Sequence, residues 1–104
     1  MKRYKILMTE PATDDLVDIT EYIAKELREP VTAQKLVSKI KNAVMSLAKM
    51  PTRYATVSDV HLAAQGIRKL PVENYIVFYV VSEQDEAVTV IRILYGRRDW
   101  EQLL

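Results

Sequence analysis

The residues best suited to chemistry in this chain are cations placed beside apolar strands. Gly96-Arg97-Arg98-Asp99-Trp100 follows directly on the apolar run Ala87–Tyr95, so two arginines stand at a strand tip. A strand end is a fixed point from which a loop can present side chains. A second pair, Arg68-Lys69, lies in an earlier run, and a third cluster, Lys2-Arg3-Tyr4-Lys5, precedes the first apolar segment. Over the whole chain 15 Lys and Arg stand against 14 Asp and Glu, for a net charge of +1. That balance argues against nucleic-acid binding by bulk charge and leaves any electrostatic role to local clusters.

Other chemistries drop out quickly. The chain has no cysteine, which removes disulfides and thiolate metal sites and points to a reducing compartment. His61 is the single histidine, so a zinc site built on several imidazoles is excluded. No cofactor or metal is expected. Asp14, Asp15, Asp18 and Glu21 crowd one helical segment. They read as a solvated face favoured by the helix dipole, not as an acid/base pair. No apolar run reaches the length of a bilayer, and no hydrophobic signal region opens the sequence. The expectation is a soluble cytoplasmic protein without a membrane partner.

The elements that must position the cations follow from periodicity. At 104 residues the chain suits one small domain, 1–104, with a modest core. Residues 3–8 read as a first strand. Thr9 or Glu10 can cap a helix with Pro11 in its first turn. Ala12, Leu16, Ile19, Ile23 and Leu27 then mark one helical face. Pro30 separates this helix from a second, whose stripe runs from Ala33 through Leu36, Ile40 and Val44 to Leu47. A short connection predicts an antiparallel hairpin. Residues 51–65 are aperiodic and read as a long loop with room for a short helical turn. Strands follow at 66–72, 75–82 and 87–95, with a tight turn at Glu73-Asn74. The fold class is therefore α+β, β-α-α-β-β-β, a helical hairpin packed on an antiparallel sheet.

Strict alternation along the last two strands gives two apolar faces. Tyr75, Val77 and Tyr79 share one, and Ile76, Phe78 and Val80 the other. In the last strand Val88, Val90, Arg92 and Leu94 oppose Thr89, Ile91, Ile93 and Tyr95. Two helices cover one face only. Either the long loop and the C-terminal tail fold over the second, or a partner chain does.

Taken in order, these motifs resemble a known family. The helix pattern Ala12…Leu16…Ile19…Tyr22-Ile23, the run Ile67-Arg-Lys-Leu-Pro-Val-Glu-Asn-Tyr-Ile-Val-Phe-Tyr79 and the ending Val90-Ile-Arg-Ile-Leu-Tyr-Gly-Arg-Arg-Asp-Trp100 are similar to the RelE/ParE superfamily. Its members are the toxins of type II toxin–antitoxin modules, also called plasmid-stabilisation proteins. The resemblance implies a growth inhibitor neutralised by a cognate antitoxin, and a homodimer as an option when the antitoxin is absent. It also implies one of two targets. ParE-like members poison DNA gyrase, and RelE-like members cleave messenger RNA on the ribosome; a non-toxic binding module is a third form of the same fold.

The same resemblance assigns residues. A nuclease would draw its catalytic set from Lys69, Arg98 and Tyr95. Ile76, however, stands where nucleolytic members commonly carry an arginine, and Leu104 where an aromatic or histidine is expected. Target binding is expected at Arg68, Arg97, Arg98 and Trp100. Antitoxin binding is expected at Tyr75, Val77, Tyr79, Ile91 and Ile93. The incomplete catalytic set favours the gyrase reading.

Overall fold

Thr9 turns the chain from its first strand into its first helix. Its backbone is still extended, and its hydroxyl accepts the Ala12 N–H at 3.2 Å, the exchange that an N-cap requires. The same hydroxyl donates to the carbonyl of Ile91 at 2.8 Å, tying the helix start to the last strand. The computed structural model describes residues 2–97 and 100–104. Strand β1 is Lys5–Met8 and helix α1 is Glu10–Glu21, which widens into a π-helical turn at Tyr22–Glu26. Arg28, in the left-handed region at φ 54°, reverses the chain. Pro30 then opens helix α2, Pro30–Ser46.

The long loop holds two short helical pieces, a 3-10 turn at Pro51–Arg53 and helix α3, Val60–Ala64. Asp59 caps α3 through the Leu62 N–H. Strands β2 (Arg68–Val72), β3 (Tyr75–Ser82) and β4 (Ala87–Tyr95) form the expected antiparallel meander. Strand β1 joins in parallel beside β4, giving the order β1-β4-β3-β2. A 3-10 turn at Trp100–Gln102 closes the described chain.

Alternation along β4 breaks in the middle. Phe78 pairs with Arg92, but Tyr79 pairs with Val90, so Ile91 is an extra residue in a β-bulge. Below the bulge Val88 and Val90 face the helices; above it Ile93 does. Leu94 faces the other way, with Phe78. Strict alternation had put Val90 and Leu94 together, and the bulge separates them.

The main core lies between the helices and the sheet. Ile19, Ile23, Ala33, Ile40, Val44 and Leu47 pack on Leu70, Val77, Tyr79, Val88, Val90 and Ile93. Each such aliphatic side chain taken from water contributes about 1.5–3 kcal/mol. The second face is covered by the chain itself. Val57 and Leu62 from the long loop and Trp100, Leu103 and Leu104 from the tail pack on Ile67, Phe78 and Leu94. Of the two covers considered for this face, the loop and tail supply it.

Tyr79 ties the two layers together chemically. Its ring is fully buried, and its hydroxyl donates to the Pro51 carbonyl at 2.6 Å. Burial pushes its pKa from 10.0 up to about 12, because the phenolate cannot be solvated there. The sign follows from linkage: the folded state holds this proton more tightly than the unfolded chain. The stabilisation is complete below pH 10 and declines as pH rises from 10 toward about 12. We expect alkaline unfolding monitored by circular dichroism to be less steep in Tyr79→Phe. At neutral pH that variant should lose about 1–2 kcal/mol, since the Pro51 carbonyl is left without its donor.

Candidate functional site

Strand β1 ends at Met8 while β4 continues to Tyr95, so the upper half of β4 has an edge without a neighbouring strand. The second turn of α1 closes it. The Asp15 carboxylate accepts the Ile93 N–H at 2.9 Å and the Arg92 guanidinium at 2.7 Å and 2.8 Å. Arg92 also donates to the carbonyl of Leu103 in the tail, at 3.2 Å. The hydrogen bond that Arg92 donates to Asp15 holds the Arg92 pKa above its usual value. One carboxylate thus joins α1, β4 and the tail. Asp15 is buried, against the expectation of a solvated acidic face. It lies three residues after Ala12 and four before Ile19, on the apolar stripe itself, and that spacing was the available signal. Its neighbours Asp14, Asp18 and Glu21 are exposed.

The expected catalytic residues are not brought together. Lys69 pairs with Phe78, whose ring lies on the second face. Tyr95 pairs with Tyr75 on the helix side, with ring centroids 5.7 Å apart in an edge contact. Lys69 and Tyr95 therefore leave opposite faces of the sheet. Arg98 lies outside the described residues. In register, Lys69, Phe78 and Arg92 form a row across three strands, but Arg92 is engaged by Asp15.

The expected target-binding residues divide as well. Arg68 donates to the carbonyls of Thr52 and Tyr54 at 3.2 Å and 2.6 Å, so it fastens the long loop to the sheet. Trp100 packs on Phe78 with ring centroids 4.9 Å apart and anchors the tail. Arg97 is exposed in the turn after β4. Gly96 makes that turn possible: it donates to Asn74 at 2.8 Å, and a Cβ there would sit 3.3 Å from the Asn74 oxygen and 3.4 Å from Ile76.

The residues expected to meet an antitoxin are mostly inside. Val77 and Tyr79 are 0% exposed and Ile93 is 1%, all beneath the helical hairpin. No partner can reach them in this fold. Tyr75 and Ile91 are half-buried. The open surface lies instead on the helix side, as two grooves. The larger, of about 940 Å³, runs between α1, α2 and the ends of β3 and β4, and Tyr22, Tyr75 and Tyr95 line it with Asp18 and Leu27. Burial, then proximity to Tyr22 and Tyr95, raises the pKa of Tyr75. The smaller groove, about 350 Å³, is lined by Ile6, Met8, Leu16, Val44 and Met45 beside the free edge of β1. No helix among the described residues is long and apolar enough to cross a membrane.

Comparison places this architecture. Residues 6–100 match the family described as ParE toxin of type II toxin-antitoxin system, parDE. The chain belongs to that family. Its fold is similar to that of a chain from a chromosomal ParDE system of P. aeruginosa, at TM-score 0.72 and 22% identity, covering 89% of this chain and 96% of that one. A chain of the RelBE2 toxin–antitoxin complex of Mycobacterium tuberculosis gives TM-score 0.64 at 19% identity, over 91% of this chain and 93% of that one. A chain of the archaeal RelE–RelB complex of Pyrococcus horikoshii gives 0.58 at 10%, over 92% and 98%. No curated protein matches by sequence.

Removing Asp15 should test the closure of β4. Asp15→Ala leaves the Ile93 N–H and the Arg92 guanidinium without their acceptor. A loss of about 3 kcal/mol is expected in urea unfolding. Arg92→Ala added to it should cost little more, because both changes break one unit.

Proposed function

We propose that this ParE-family toxin arrests growth by inhibiting DNA gyrase, not by cutting messenger RNA. The observation that carries this reading is the separation of Lys69 from Tyr95 by the thickness of the sheet. Cleavage of RNA by its own 2′-hydroxyl needs a base at that hydroxyl and cations around the charged phosphorane, converging on one phosphate. Two groups on opposite faces cannot converge. Arg92, the cation in register with Lys69, is neutralised by Asp15. Ile76 adds no charge and packs toward Gly96. The exposed Arg97 at the strand tip, with Arg98 beside it in sequence, is then the proposed contact to the target.

The partner in this reading is a cognate antitoxin, and its docking surface is the helix side of the molecule. Strand β1 is a sheet edge, with Leu7 48% and Met8 37% exposed. Such an edge offers its free N–H and C=O groups to an added strand. The groove between Met8 and Met45 would accept an apolar side chain of that strand, and methionines adapt well to such a role. With its own tail over the second face, the protein needs no partner there.

Side-by-side assays test the target. On induction, supercoiling of plasmid DNA should fall before messenger RNA fragments. Lys69→Ala should leave growth arrest intact, whereas alanine at both Arg97 and Arg98 should abolish it. A change at an exposed site such as Arg97 typically alters stability by no more than about 0.5 kcal/mol, and a thermal melt of the double variant checks that the fold survives. Primer extension showing prompt cleavage of translated messages, lost in Lys69→Ala, would overturn the gyrase reading.

A further inference from the structure

The larger groove is built around three tyrosines, and among the described residues no cation stacks on their rings, although Lys35 and Lys39 stand in its α2 wall. Tyr22 comes from α1's π-helical extension, Tyr75 from the start of β3 and Tyr95 from the end of β4. Tyr75 and Tyr95 meet edge to face at 5.7 Å. Tyr22 remains 53% exposed and Tyr95 37%. Among the described residues the cation–π contacts lie elsewhere, with Lys2 over Tyr4 and Arg53 over Tyr54.

The groove's charges lean the same way. Lys39 on the α2 wall pairs with Glu73 at 2.5 Å, and Asp15 is held by Arg92. That leaves Asp18 and Glu29 against Lys35 among the described lining residues that form no ion pair. Asp18 lies four residues before Tyr22, so the carboxylate and the ring share one helical face. The π-turn that begins at Tyr22 adds a local observation. Its wider ring is closed by Leu27 N–H to Tyr22 O at 3.3 Å, and such turns are frequent where a helix serves a site.

We infer that this groove is an aromatic cage for one cationic side chain, arginine or lysine, carried by the antitoxin segment that docks on the helix side. The inference rests on the partner reading above and adds what the partner must present. Ring faces attract a cation through their quadrupoles, and Asp18 supplies the countercharge. An apolar side chain would gain from the rings but would leave Asp18 to be desolvated without a partner.

The test uses the toxin with the protein encoded beside it, measured by calorimetry at low and moderate salt. Formation of the wild-type complex tests the partner reading alone. Tyr22→Phe keeps the ring and should bind within about twofold of wild type, whereas Tyr22→Leu should weaken binding about tenfold or more. Asp18→Asn should weaken binding and flatten its salt dependence, and Asp18→Lys should weaken it further. Thermal melts of the free variants check that these exposed changes leave the fold intact. A normal complex with all four variants within twofold of wild type would overturn the cage while leaving the partner reading standing. Loss in Asp18→Asn with no change in salt dependence, or Tyr22→Leu equal to Tyr22→Phe, would assign the groove to an apolar side chain and also overturn it. Failure of the wild-type pair to bind would overturn the partner reading and the cage with it.

Discussion

One carboxylate holds the upper half of the molecule in place. A four-residue β1 cannot cover a nine-residue β4, and the exposed main-chain groups beyond Met8 would otherwise invite other strands. Asp15 answers the Ile93 N–H directly and recruits Arg92 to the same point. Arg92 in turn reaches Leu103 and draws the tail onto the second face. The bulge at Ile91 is part of the same arrangement. It resets the alternation so that Ile93 enters the core while Arg92 is free to turn around the strand edge. A pair this engaged is poor evidence of added stability, since desolvation offsets much of its attraction. Its clearer consequence is geometric: it fixes which face each residue after 91 occupies.

That geometry explains what the sequence made legible. The bounds of β3 and β4, the turn at Glu73-Asn74 and the two helical stripes follow from local chemistry, and local chemistry was enough. Glu73 takes the left-handed conformation at φ 54°, as a tight turn demands. The bulge was not legible, because it depends on Thr9 and Asp15 meeting an edge more than seventy residues away. Once it is missed, every face assignment beyond it inverts. The extra residue is in β4, so alternation along Tyr75, Val77 and Tyr79 in β3 holds, but their face is the one the helices cover. A list of apolar strand residues cannot say which face the helices will take.

The cations illustrate the same limit in a different form. Arg68 and Arg97 look alike in sequence, each beside another basic residue at a strand end. One has two loop carbonyls within reach, and the other stands in a turn exposed to water. Only the path of the loop between Pro51 and Tyr54 separates a structural arginine from an available one. Asp15 carried a signal that was available, an acid on an apolar stripe. A charged residue in that position is rarely left unpaired, and the search for its partner leads to Arg92.

The sheet also divides the protein's duties between its two sides. The second face is closed by Val57, Leu62 and Trp100, so nothing large can dock on it without moving the tail. The grooves and the β1 edge lie on the other side. The two sides meet at the end of β4, where Tyr95 lines the larger groove and Arg97 follows after a single glycine. At about 3.3 Å of chain per residue, a segment filling the groove at Tyr95 ends within about 7 Å of Arg97. In the proposed reading, neutralisation therefore needs no contact with a catalytic centre. A partner seated among the tyrosines already stands beside the arginine that the target would have to reach.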